Sequence, residues 1–352
     1  MHCRRIIMNI YYRVLAKDIT NIYQFNSRKS TFIMCLPKMH EIRRNYSRQF
    51  HKQEKSTQTK LIIISSSFLF NLFGSEEEKD DVSELEMTIK RSILLIQKGE
   101  FKKAEQMLHI ALRQAQTLQH YDGITYIYDV MANLAYNLND FKKAEKLFVS
   151  VMQRLISKGM AQDDLAIIHM SLKIANMYSK MGETEKAENG YQFCLESLKK
   201  HMAKDSENPD VLQLMGLALE WYGGMLFSES RYVDALRYLT EAYDISVKMN
   251  GIEDEQTVVL LSDLGTVNCA MKEYDEAIKY LTKATEIGKK LPDMFDIGSI
   301  YVNLGNAYII KGLYEEAKKN CKQGKQLAKA QNHDESLKEA EKCLERIKEL
   351  MS

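Results

Sequence analysis

Leu304-Gly305-Asn306-Ala307-Tyr308-Ile309-Ile310-Lys311-Gly312-Leu313-Tyr314-Glu315-Glu316-Ala317 is the stretch on which the fold turns. Leu304, Ala307 and Tyr308 stand at i, i+3 and i+4, the spacing of one buried helix face. Gly305 admits a neighbouring helix at close range. Lys311-Gly312 stops this helix, and Tyr314 and Ala317 begin the packed face of a second. Alanine suits that place because helix axes about 8–10 Å apart leave little room at their crossing.

The same device repeats upstream. An aromatic, two variable residues and an alanine return as Phe101–Ala104, Phe141–Ala144, Tyr232–Ala235 and Tyr274–Ala277, with Thr184–Ala187 a degenerate copy. Successive alanines, ending at Ala317, lie 40, 43, 48, 42 and 40 residues apart. A period in that range marks stacked supersecondary units, each unable to bury its apolar face alone. Such arrays present long binding surfaces. Pro209 and Pro292 fall between units, where a helix is expected to end. Leu337, Ala340, Leu344 and Ile347 share one face of a final helix, a polar-backed cap.

Charge divides the chain. Residues 1–60 hold thirteen Lys/Arg and three acids, leaving 36 basic and 45 acidic residues in the rest. An acidic body argues against nucleic acid as its ligand. The basic, acid-poor arm has the composition of a mitochondrial transit peptide, the alternative being a basic disordered segment. Either Met1 or Met34 could start such an arm, and Arg44-Asn45-Tyr46-Ser47 resembles a matrix-protease cleavage site before Ser47. Residues 61–74 carry the one strongly apolar run, Leu61 to Phe73. At thirteen positions with three serines it falls short of the ~20 needed to span a bilayer. It suits interfacial attachment or packing on the first unit. Residues 75–84 read as an acidic linker.

Catalytic and cofactor signatures are missing: no GxxxxGK[ST], GxGxxG, HExxH or GxSxG occurs. His109, His120, His169 and His201 read as surface or groove residues. Cys3, Cys35, Cys194, Cys269, Cys321 and Cys343 form no CxxC pair and read as small, reduced hydrophobes. No catalytic, metal or cofactor residue is expected, nor a small-molecule substrate.

The Leu-Gly-x-x-Tyr, Gly-x-Tyr-x-x-Ala pattern resembles the tetratricopeptide repeat family. Leu264-Gly265 with Tyr274–Ala277–Leu281–Ala284, and Tyr222-Gly223 with Tyr232–Ala235–Leu239–Ala242, carry the likeness best. The resemblance implies an all-α, right-handed solenoid over residues 85–352. Its units lie near 85–124, 125–167, 168–215, 216–257, 258–297 and 298–332, with a cap at 333–352. In this family the first helix of each unit lines the concave groove. Here that places Tyr126, Asp129, Asn133, Lys173, Asn176, Glu220, Trp221, Asp263, Asn303 and Asn306 in it, with Trp221 the expected anchor for a peptide or helix. Asp129 and Asp263 stand against the family's carboxylate clamp.

Longer strings resemble one mitochondrial branch of the family. They include Ile124-Thr-Tyr-Ile-Tyr-Asp-Val-Met-Ala-Asn-Leu-Ala135, Gly190-Tyr-Gln-Phe-Cys194 and Leu261-Ser-Asp-Leu264. That likeness implies a non-enzymatic protein on the matrix side of the inner membrane. It would bind respiratory complex III (cytochrome bc1), including its Rieske iron–sulfur subunit or fragments of it, and aid fragment clearance. A cytosolic scaffold or cargo adaptor of the kinesin-light-chain type is the alternative.

Overall fold

The structure, a computed structural model, describes residues 79–291, 294 and 297–352. The expected arm 1–60, the apolar run 61–74 and Pro292 lie outside the described residues. Thirteen helices and no strand are found among the described residues, so the all-α expectation holds.

Two compact units divide the described chain, one through Lys199 and one from Lys200. The first contains α1 (Lys79–Gln97), α2 (Phe101–Thr117), α3 (Tyr121–Asn137), α4 (Phe141–Ser157), α5 (Leu165–Met181) and most of α6 (Thr184–Lys204). The second holds α7 (Pro209–Ser228), α8 (Tyr232–Asn250), α9 (Glu255–Ala270), α10 (Tyr274–Gly288), α11 (Ile297–Ile310), α12 (Tyr314–Ala330) and α13 (Asp334–Met351). Odd-numbered helices pair with the even-numbered helix that follows, and α13 closes the series. The first helix starts at Lys79, inside the stretch read as a linker.

One turn design joins every pair. The residue two before each second helix has positive φ: Gly99 (73°), Asn139 (60°), Gly182 (78°), Ser230 (62°), Lys272 (70°) and Gly312 (74°). The next backbone N–H then donates to a carbonyl five residues back, as from Glu100 to Leu95, Glu273 to Asn268 and Leu313 to Tyr308, at 2.9–3.0 Å. This Schellman arrangement satisfies carbonyls that the helix end would leave bare.

Each repeat alanine then closes the first turn of the second helix, Ala277 N–H donating to Glu273 and Ala317 N–H to Leu313. All six repeat alanines are fully buried. Glycines opposite them serve the same close approach. A Cβ on Gly265 would lie 2.6 Å from Leu281, and one on Gly223 would lie 2.8 Å from Leu239.

The first helices α5, α7 and α9 are started by side chains. Asp164 caps α5 through the Ala166 N–H (2.9 Å), Asn208 caps α7, and Asp254 caps α9 through the Gln256 N–H (2.9 Å). A side-chain oxygen there accepts from an otherwise orphaned N–H. Pro209 occupies the first turn of α7. The preceding helix α6 does end at Lys204, so Pro209 stands between pairs as expected, and its missing N–H costs nothing at a helix start. On α13 the buried face is Ser336, Ala340, Cys343 and Ile347, with Leu337 and Leu344 only partly covered.

The cysteines divide. Cys194 and Cys269 are buried free thiols, and burial pushes the Cys269 thiol up to about 12. Such thiols are inert hydrophobes. Cys321 and Cys343 depart from that expectation and are joined in a disulfide between α12 and α13, with a Cα–Cα distance of 6.1 Å. Helix packing brings two sequence-remote residues within bridging range, which spacing along the chain could not reveal.

Candidate peptide-binding faces

In the first unit the expected residues gather on two neighbouring helices, α3 and α5. Tyr126, Asp129 and Asn133 follow one another at i, i+3 and i+7 on α3, all half-buried. Asn133 donates its side-chain amide back to the Asp129 carbonyl (2.8 Å) and accepts from the Lys173 ammonium on α5 (2.6 Å). Lys173 is 5% exposed, and its ammonium lies 5.6 Å from the centre of the Phe148 ring. Asn176 is half-buried one turn further along α5. Burial pushes the Asp129 carboxyl above its ordinary value, against the pull of Lys173 and a hydrogen bond from Asn133.

His169 belongs to this face too, one turn before Lys173, and it is 1% exposed. Neither ring nitrogen meets a partner among the described residues. Burial, then the nearby Lys173 charge, hold its pKa well below the usual histidine range, so the ring is neutral. His169 was expected as a surface or groove residue; it shares α5's face with Lys173, but its ring is enclosed rather than exposed. Its place between Ile168 and Met170, both buried, was the available signal. His120 also has a structural task, its Nδ1 accepting the Gly123 N–H at 2.8 Å to cap α3.

In the second unit the residues come from α7, α9 and α11. Glu220, Asp263, Asn303 and Asn306 are buried, and Trp221 is half-buried. Gln256, two turns before Asp263 on α9, donates to the Glu220 carboxylate at 2.6 Å. Asn303 donates to the Ser262 hydroxyl at 3.4 Å. Gln256 and Ser262 were not expected at this face. Gln256 could have been found, since it shares Asp263's helix face.

Both faces align amides, carboxylates and, in the first unit, one ammonium along successive first helices. Rows of paired donors and acceptors can hold the backbone and side chains of an extended segment. Among the described residues, no helix is long and apolar enough to cross a membrane.

Comparison with known proteins agrees with this architecture. Tetratricopeptide repeat models match residues 214–290 and 298–331. Among solved structures, BtubC (BKLC) from P. vanneervenii superposes with a TM-score of 0.53 at 19% identity, over 71% of this chain and 92% of that one. This likeness shows the fold, an array of tetratricopeptide-type helix pairs. The sequence relatives are more specific. The Drosophila melanogaster mitochondrial tetratricopeptide repeat protein 19 homolog is 38% identical over 81% of this chain and 78% of its own length. The Homo sapiens mitochondrial tetratricopeptide repeat protein 19 is 33% identical over 76% and 74%. With identity of that order running across both compact units, the chain belongs to the mitochondrial tetratricopeptide repeat protein 19 family.

Proposed function

We propose that the protein is a non-enzymatic interaction factor on the matrix side of the mitochondrial inner membrane. There it binds respiratory complex III and helps clear fragments of the Rieske iron–sulfur subunit. The Asp129–Asn133–Lys173 ladder carries the reading. It is a preorganised row of hydrogen-bonding groups on two adjacent first helices, suited to holding a peptide rather than transforming one. The residues expected at the two faces include no nucleophile and base set to act together.

The mitochondrial setting is supported by the relatives' names and by the basic arm of residues 1–60. The apolar run 61–73 supplies the membrane association in this reading, by lying in the interface beside its basic flank. Capture of complex III by tagged protein from gently solubilised mitochondria tests the proposal. Lys173→Ala and Asn133→Ala should each lower the recovered complex at least several-fold while leaving the helical content intact. Equal recovery by wild type and both variants would refute a role for this face.

A further inference from the structure

Four residues after the repeat alanine, the second helix of each pair carries a residue that packs towards the first helix. In five pairs this residue is large: Leu108, Phe148, Tyr191, Leu239 and Leu281, all buried. In the last pair it is Cys321. Gly305 on α11 approaches so closely that a Cβ there would collide with the Cys321 sulfur, the contact that Gly265 makes with Leu281. Where the other pairs hold a large side chain, the last pair brings in a second sulfur from α13, that of Cys343. Around the two lie Val302, Ile309, Ala317, Ala340 and Ile347, so the bridge sits inside the apolar seam that attaches the cap. Both cysteines are nearly inaccessible.

We propose that Cys321 and Cys343 are a redox site that sets how firmly α13 is attached to the last helix pair. The reagent is a small disulfide of the glutathione class, acting by thiol–disulfide exchange. One cysteine thiolate attacks it, forming a mixed disulfide and releasing one thiol. The second cysteine thiolate then attacks the protein-bound sulfur, forming the Cys321–Cys343 bond and releasing the second thiol. Two electrons pass from the cysteine pair to the reagent, and the two cysteine protons end on the released thiols. Two equivalents of thiol reverse the sequence.

Burial of both sulfurs adds a condition: α13 must lift before a reagent can reach either one. Exchange therefore runs through the opened cap, and the closed bond resists mild reductant in the folded protein. Oxidised, the cap is fastened across a separation of 22 residues. Reduced, the cap is held by the apolar seam, the Ser299–Ser336 hydrogen bond and the Lys325–Glu341 ion pair. This device does not depend on the complex III reading.

The test is hydrogen exchange on the purified full chain, with cysteine state followed by alkylation and mass spectrometry. After treatment with glutathione disulfide, peptides containing Cys321 and Cys343 should be recovered linked and unalkylated. Reduction with dithiothreitol should speed exchange of the α13 amides roughly a hundredfold, given the usual constraint from closing a loop of this size. Cys343→Ala should show the fast exchange under both conditions, with its helical content unchanged. Free alkylation of both cysteines in the glutathione-disulfide-treated, urea-unfolded protein would overturn the proposal. So would α13 exchange that is identical in the oxidised and reduced wild type.

Discussion

His169 and Lys173 stand one helical turn apart on α5, and the contrast between them explains both. The lysine reaches across to Asn133 and keeps its hydrogen bonding, while the imidazole is enclosed and held neutral. An unfolded chain takes up a proton on this residue near pH 6.5, and the folded chain refuses it. Stability is therefore whole above about pH 6.5 and declines as pH falls below it, by at most about 1.4 kcal/mol per pH unit. His169→Leu should remove this component, so urea midpoints at pH 7.5 and 5.5 should differ less than in wild type. An unchanged difference would mean that His169 is not buried neutral. Trp221, half-buried on α7, bears on function instead. Its replacement by alanine should weaken partner binding by about 2 kcal/mol, roughly thirtyfold, if it is an anchor, with a smaller fall in melting temperature. Equal losses in both would make it a core residue. At this scale Asn133 and Lys173 were expected on one face only through the resemblance to the repeat family, and their hydrogen bond joins them across α3 and α5. His169's enclosure was legible only indirectly, through the apolar neighbours Ile168 and Met170, because a polar residue beside a groove itself reads the same whether covered or open.

The helix pairs show why so much of the fold could be read. Each repeat alanine is dictated by a helix crossing, each flanking aromatic by the start of the second helix, and these constraints recur in register. The turns were legible only where glycine or asparagine marks a left-handed residue. Ser230 and Lys272, both exposed, adopt the same conformation without that signal, because the Schellman hydrogen bonds hold them there. Lys272→Gly should therefore stabilise the protein by about 0.5 kcal/mol, relief of strain outweighing the added freedom of the unfolded chain. A urea melt at neutral pH measures it, and destabilisation would contradict the assigned turn. The repeat alanine tolerates less. Ala277→Leu should cost about 1–3 kcal/mol through overpacking against α9, read as a lower melting midpoint with the fold retained. The Cys321–Cys343 bridge stayed illegible because it depends on how α13 seats on α12, a matter of tertiary packing rather than pattern.

For the whole molecule, charge and descent point the same way. A basic arm of thirteen Lys/Arg and three acids precedes an acidic body, and the body is related along most of its length to proteins named as mitochondrial. If the arm is the address, removing residues 1–46 should leave the protein in the cytosol, seen by fractionation or imaging of a tagged chain. Retention in mitochondria would place the address elsewhere. Native electrophoresis of gently solubilised mitochondria, probed for this protein and for complex III, tests the central claim most directly. The account predicts co-migration of the two that survives mild detergent and is lost when Lys173 and Asn133 are replaced together. Migration of the wild-type protein at its own monomer mass, apart from complex III, would contradict it.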